Sequence, residues 1–291
     1  MNDGEGVCWI DGEILPLSKA RVPVLDHGLL YGDGVFEGIR FHRRRPFLLQ
    51  EHLQRLFDSA RAIALDCPWD GPTLTGILQQ TIDACDFDDG YIRLLLTRGE
   101  GALGIDPRSC RQPRLIAIAD QLQMVSERVR REGAQVIIAS TRRLPPDGLD
   151  PRIKSLNYLN HVLARIEANR AGADEAILLN AQGRVTEGTV DNLFIVKQGV
   201  LRTPPASDGA LAGITRALLL ELARELSIPT EETSLTAYDL YCADECFLSG
   251  TGAELIPVRS IDGRDLNACP GPVFKTLQEA FQRAVEREVA A

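Results

Sequence analysis

The sequence predicts a mixed α/β protein in two domains, on three observations. A chain of 291 residues is long enough to bury more than one core. Strand-like runs at Val7–Leu15, Tyr91–Thr97 and Leu115–Ala119 are interleaved with helix-period segments such as His52–Leu65. A polar stretch, Asp120–Glu127, then carries no clear strand pattern and divides the chain. The expected organisation is a first domain over 1–120, a linker over 121–127 and a second domain over 128–291. Hydrophobic content of 44% and charged content of 25% suit a globular protein.

Composition narrows the function classes. A net charge of −9 leaves no electrostatic footprint for nucleic acid or an anionic membrane, so an acidic substrate needs a local basic site. The opening residues, MNDGEGVCWIDG, lack the basic and apolar regions of a signal peptide, and no apolar run reaches membrane-spanning length. The seven cysteines are an odd number and scattered. Cys242 and Cys246 form the nearest pair, but nothing completes a zinc pattern, so no metal is expected. Reduced thiols of this kind point to the cytoplasm. The four histidines are isolated in sequence, and His161 reads as packing or surface.

In chain order, Asp11-Gly12 between strand-like residues predicts a hairpin. Gly28–Arg40, GLLYGDGVFEGIR, sets Tyr31, Phe36 and Arg40 among glycines that either admit a ligand close to the backbone or simply form turns. His52–Leu65 is a helix with Leu53, Leu56, Ala60 and Ile63 as its buried stripe. Arg55 borders that stripe and either reaches inward or is solvated. Thr73–Cys85 is a second helix. A period of two then puts Tyr91, Arg93 and Leu95 on one strand face, where phenol and guanidinium could hold a carboxylate. Gly99–Gly104 has the spacing G-x-G-x-x-G. Ile105-Asp106-Pro107 follows it with a loop rather than a helix, which rules out a dinucleotide site.

Beyond the linker, Lys154 precedes an apolar series at Leu156, Leu159, Leu163 and Ile166, with helical spacing and a stop at Gly172. Ala176–Leu179 reads as a buried strand, closed by a turn at Ala181-Gln182-Gly183. Glu187 then leads into a strand over Asn192–Val196. Lys154, Tyr158 and Glu187 sit near element boundaries, and an amine, a phenol and a carboxylate suit a carbonyl cofactor bearing a ring nitrogen. Gly213 precedes a helix through Leu226, with Leu218, Leu222 and Leu226 as apolar positions. The amides of Ile214 and Thr215 form a ready phosphate site. The strand Cys246–Leu248 enters Ser249–Glu254, which offers further anion donors. A final helix from Gly271 carries a packing stripe of Val273, Leu277, Phe281 and Val285.

Six collinear segments, YGDGVFEGIR, EHLQRL, KSLNYLN, VTEGTVDNLF, LAGITR and LSGTGAELIPV, resemble motifs of the fold-type IV pyridoxal-phosphate aminotransferases. The branched-chain amino-acid aminotransferases are the group most resembled, and the resemblance runs from about Trp9 to the last helix. It implies a smaller N-terminal α/β domain and a larger C-terminal domain with a barrel-like β core, α+β in type. It also implies a homodimer whose Leu103-Gly104-Ile105 loop enters the partner's site. Carried over by residue, it makes Lys154 the covalent holder of pyridoxal 5′-phosphate. Glu187 faces the pyridine nitrogen, and Tyr158 bonds the phenolic oxygen. Arg55, Gly213, Ile214, Thr215 and Thr251 bind the phosphate. Tyr31, Phe36, Tyr91, Arg93, Thr251 and Gly252 shape the substrate pocket. The implied reaction is transamination between leucine, isoleucine or valine and 2-oxoglutarate.

One segment departs from this pattern. Where the branched-chain enzymes carry aromatic residues that wall the side-chain pocket, this sequence has Asp120-Gln121-Leu122-Gln123-Met124. The D-amino-acid aminotransferases share the KSLN and TEG steps but hold the carboxylate with an Arg and a His where Leu103 and Ile105 stand here. Aminodeoxychorismate lyase, the (R)-amine transaminases and a non-catalytic binding protein are the other readings. Intact Lys154 and Glu187 argue against the last.

Overall fold

The Asp11-Gly12 turn takes positive φ at both residues, 52° and 89°, and closes a hairpin between β1 (Val7–Ile10) and β2 (Glu13–Pro16). The computed structural model that shows this describes residues 6–122 and 125–290. After the hairpin come α1 (His27–Tyr31), β3 (Gly34–His42), β4 (Arg45–Pro46), α2 (Leu49–Ala62) and α3 (Gly71–Asp83). Then β5 (Gly90–Thr97) and β6 (Arg114–Asp120) complete a six-stranded sheet of order β2-β1-β6-β5-β3-β4. Its alternation is the one read from the sequence. Ile92, Leu94 and Leu96 of β5 are buried, while Tyr91, Arg93 and Leu95 on the opposite face are only partly so. Leu53 and Leu56 of α2, with Leu74 and Leu78 of α3, join the buried side in one core. Ile63 ends up as the half-buried C-cap of α2, and His52 and Ser59 take buried places on that helix.

The chain forms two compact units. Unit 1 comprises Met1–Leu122, Ile153–Asn157 and Glu288–Ala291, and unit 2 comprises Gln123–Arg152 and Tyr158–Arg287. The strip holding Lys154 thus belongs with the first strands. Its backbone explains why: Phe36 N donates to Lys154 O at 2.9 Å and Leu156 N to Gly34 O at 3.0 Å. Ser155 forms a bridge with Val35, so the strip runs beside the first half of β3.

Unit 2 opens with α4 (Glu127–Glu132), capped by Ser126 where a linker was expected. β7 (Ala134–Arg142), α5 (Leu159–Arg170), β8 (Glu175–Leu179), β9 (Val185–Gly188), β10 (Asn192–Lys197) and β11 (Val200–Thr203) follow. Next come α6 (Ile214–Glu225), β12 (Thr230–Glu232), α7 (Ala237–Tyr241), β13 (Glu245–Gly250), β14 (Glu254–Ile261), β15 (Arg264–Asp265) and α8 (Pro272–Ala290). The strands form a nine-stranded sheet of order β12-β11-β10-β13-β14-β7-β8-β9, with β15 beside β14. β7 runs parallel to both β8 and β14, and the other pairs named here are antiparallel except β11 with β12.

The face of α5 differs from the one its leucines suggest. His161, Ala164 and Ala168 are buried, whereas Leu159, Leu163 and Ile166 are exposed to 70%, 48% and 38%. The alanines pack on Ala139, Ala176 and Leu178, a contact that small side chains allow to be close. In α6 the buried apolar residues are Leu219, Leu220, Leu222 and Ala223, and Leu226 caps the helix at the surface. Among the described residues no helix is long and apolar enough to cross a membrane, and no group of His, Cys, Asp and Glu could hold a metal ion. All seven cysteines are free thiols.

Candidate active site

In unit 1 the open face of the sheet gathers Phe36, Tyr91, Arg93 and Lys154. β3 and β5 pair Gly38 with Arg93 and Arg40 with Tyr91. Gly38 is required there, because a Cβ would lie 1.7 Å from the Tyr91 hydroxyl. The Phe36 ring carries two cations, with Lys154 Nζ and Arg93 Cζ each 4.7 Å from its centroid. Arg93 also lies 5.6 Å from the Tyr91 ring, and such cation–π contacts hold a charged group beside an apolar wall. Burial pushes the Tyr91 phenol up, which keeps it a neutral donor.

Arg55 leaves α2 for the inside of unit 1. Its Nε and Nη2 each sit 2.7 Å from one oxygen of Glu37, a bidentate pair. His52 Nδ1 lies 2.7 Å from the same carboxylate. Burial by itself would raise Glu37. The Arg55 charge and hydrogen bonds, with those of His52, outweigh it and hold the carboxyl at about 2. The burial of His52 lowers its own pKa. Neither Glu37 nor His52 was singled out in the sequence; the glutamate within FEGIR, one residue after Phe36, was the available signal.

Tyr31 is brought to a different neighbour from the other pocket residues. Its hydroxyl accepts from Gly104 N at 2.8 Å, tying it to the loop of Leu103 and Ile105, which are 79% and 84% exposed. Of the segment that departs from the branched-chain pattern, Asp120 and Gln121 are exposed, and Gln123 and Met124 lie outside the described residues.

In unit 2, β9 holds Glu187 with 5% exposure. Arg143 Nε approaches Oε1 at 2.8 Å, Leu211 N donates to Oε2 at 2.8 Å, and His161 Nε2 faces Oε1 at 3.6 Å. Burial would raise this carboxyl, but His161, Arg143 and the Leu211 amide together lower it. Tyr158 caps α5 and stacks on His161 with ring centroids 4.5 Å apart. Arg143 and His161 went unrecognised in the sequence because their chain positions give no sign of convergence on Glu187.

The start of α6 has no side-chain cap: Gly213 is its N-cap, and Ile214 and Thr215 supply its first amides. Asn192 Nδ2 donates to Leu211 O at 3.0 Å, and its Oδ1 would lie 1.9 Å from a Cβ at Gly213. No side chain fits at that corner. Asn192 pairs in register with Ser249, whose buried Oγ has no hydrogen-bond partner. Thr251 and Gly252 lie in the turn after β13. A buried ionised carboxylate suits a protonated pyridine nitrogen, and an uncapped helix start beside an orphaned hydroxyl suits a phosphate. The donor set of unit 2 therefore fits pyridoxal 5′-phosphate.

Residues 34–261 match the family described as amino-transferase class IV. A Methanocaldococcus jannaschii protein, provisionally named a branched-chain-amino-acid aminotransferase, is 48% identical over 275 residues, 94% of either chain. The crystal structure of Escherichia coli branched-chain amino acid aminotransferase superposes with a TM-score of 0.92 at 36% identity, covering 96% of this chain and 94% of the other. That of the T.th. branched-chain enzyme with pyridoxamine 5′-phosphate gives 0.91 at 35%, covering 97% and 94%. The nine-stranded sheet is the curled half-barrel of that fold. The chain belongs to the class IV aminotransferases, as a pyridoxal 5′-phosphate-dependent transferase of the branched-chain amino-acid aminotransferase group.

Proposed function

We propose that this enzyme transfers the amino group between a branched-chain L-amino acid (leucine, isoleucine or valine) and 2-oxoglutarate, giving the branched 2-oxo acid and L-glutamate. The observation that carries this reading is the Phe36 ring with Lys154 on one side and Arg93 beside Tyr91. An aromatic wall receives an aliphatic side chain, and the guanidinium receives the distal carboxylate of a dicarboxylic acid. The T.th. enzyme supports both uses. It has been crystallised with 4-methylvaleric acid and with N-(5′-phosphopyridoxyl)-L-glutamate, each structure 35% identical with a TM-score of 0.89.

When bound, pyridoxal 5′-phosphate supplies a carbonyl that takes up the amino group and a ring that draws electrons from Cα. Lys154 would hold it covalently, and its Nζ, when free, would serve as the base that removes the substrate Cα proton. In the return half-reaction Nζ delivers a proton to the Cα of the acceptor. Glu187, ionised and oriented by Arg143 and the Leu211 amide, keeps the ring nitrogen protonated. Tyr158 would donate to its phenolic oxygen. Arg55, Gly213, Ile214, Thr215 and Thr251 hold the phosphate, with Glu37 fixing the direction of Arg55. Thr251 and Gly252 take the substrate α-carboxylate.

The enzyme acts as a homodimer in the cytoplasm on this reading. Leu103 and Ile105, apolar and highly exposed, extend with Gly104 into the partner's pocket, and Tyr31 travels with that loop. The free thiols fit a reducing compartment.

A donor panel tests the assignment. With 2-oxoglutarate as acceptor, L-leucine, L-isoleucine and L-valine are expected to turn over well above D-alanine and (R)-1-phenylethylamine. Preference for either of the last two would overturn it.

A further inference from the structure

Lys154 sits at the middle of a tight turn. Ser155 N donates to Ile153 O at 2.8 Å, the i to i+2 bond of a γ-turn, which bends the chain at the lysine itself. The Lys154 carbonyl accepts from Phe36 N at 2.9 Å. Its amide donates to the side-chain Oγ of Ser59 at 3.2 Å. Both polar groups of the Lys154 backbone are thus held, the carbonyl by β3 and the amide by α2. Of these three bonds only the one to Ser59 is made by a side chain, so it is the one that a change of residue can remove.

Ser59 is 3% exposed and lies on α2 beside buried apolar neighbours, Leu56 at 0% and Ala60 at 2%. Packing alone would be served there by an alanine. What the hydroxyl adds is an acceptor for a backbone donor that would otherwise lack one. Ser59 also stands one helical turn beyond Arg55, on the same side of α2. Arg55 is itself locked to Glu37 through Nε and Nη2. One helix within unit 1 therefore carries both the grip on the Lys154 amide and the guanidinium assigned above to phosphate, about 6 Å of helix rise apart.

We propose that Ser59 is a positioning residue for Lys154: its hydroxyl holds the turn and, through α2, sets Nζ in a fixed relation to the Arg55 guanidinium. This rests on the reading of Lys154 as covalent holder and base. The role acts on the lysine and not on the substrate, so it concerns the chemical step rather than binding.

Two variants of the pyridoxal-phosphate-loaded enzyme test this. Ser59→Ala should lower kcat roughly tenfold, because a small misplacement of a reacting group is costly, and leave KM for the preferred amino donor within about twofold. Its visible circular dichroism per bound cofactor, which reads how firmly Lys154 orients the group it holds, should fall. Ser59→Thr keeps the hydroxyl and should restore both. Wild-type kcat or wild-type dichroism in Ser59→Ala would overturn the proposal, as would a loss that a folded Ser59→Thr does not recover. Should the threonine variant not fold, kcat and dichroism of Ser59→Ala decide alone. A visible band that borohydride leaves unchanged in the wild type would overturn the covalent role of Lys154 and this proposal with it, which sets that failure apart from a failure of Ser59 alone. The dichroism reads no turnover, so a donor panel that fails leaves it independent.

Discussion

Arg143 Nε and Glu187 Oε1 meet across 2.8 Å with side chains only 8% and 7% exposed, a buried ion pair formed between the residue that follows β7 and the middle of β9. The pair has an electronic consequence as well as a structural one. A carboxylate that stays ionised in a dry site can keep a ring nitrogen protonated, and Arg143 is one of the groups that keeps it so. Glu187→Gln should retain the cofactor, which the proposed phosphate contacts would anchor, and lower kcat by more than tenfold, or more than about 1.4 kcal/mol of barrier. Arg143→Gln removes one influence that lowers Glu187, so its carboxyl should rise and the acidic limb of the kcat profile should move to higher pH. A profile that keeps its shape in Arg143→Gln would make that residue a packing element only.

Lys154→Ala should abolish the visible absorbance of the bound cofactor that borohydride removes in the wild type. It should also cut turnover by orders of magnitude. The strip that carries Lys154 is fixed by backbone hydrogen bonds to Gly34 and Phe36, so the fold should survive the change. Near-normal activity in this variant would remove the covalent role from Lys154.

Arg93→Leu should separate the two kinds of substrate. Loss of a charge-assisted contact to a distal carboxylate costs about 1.5–3 kcal/mol, which is tenfold or more in kcat/KM for 2-oxoglutarate and glutamate. Reaction of 4-methyl-2-oxopentanoate with an apolar donor should be largely spared. Equal losses on both would instead assign Arg93 to the α-carboxylate or to the support of Phe36.

Glu37 makes stability depend on acid. Its folded pKa of about 2 lies below the ordinary 4.5, so ionised Glu37 stabilises the fold at all pH above 4.5. That contribution is lost as pH falls from 4.5 towards 2. Glu37→Gln should lower stability at neutral pH by up to about 3 kcal/mol, because Arg55 and His52 lose the buried charge between them. Its Tm should then vary less with pH than the wild type's across that window. Parallel curves for the two proteins would show that the triad adds nothing to stability.

The sequence by itself determined the hairpin at Asp11-Gly12, the two-faced strand of Tyr91 and Arg93, the helix start at Gly213 and the motif order that marks the family. These are local matters: turn chemistry, a period of two, and a missing cap are written in neighbouring residues. Tertiary structure decided what distance along the chain conceals. Lys154 falls in unit 1 because its strip hydrogen-bonds to β3, more than a hundred residues earlier. The leucines of α5 face outward because Ala164 and Ala168 pack closely on Ala139 and Ala176, and close packing favours small side chains over merely apolar ones. Arg143 acquires significance only through burial, since a charge in water is screened and the same charge in a dry interior must be matched by a partner, here Glu187.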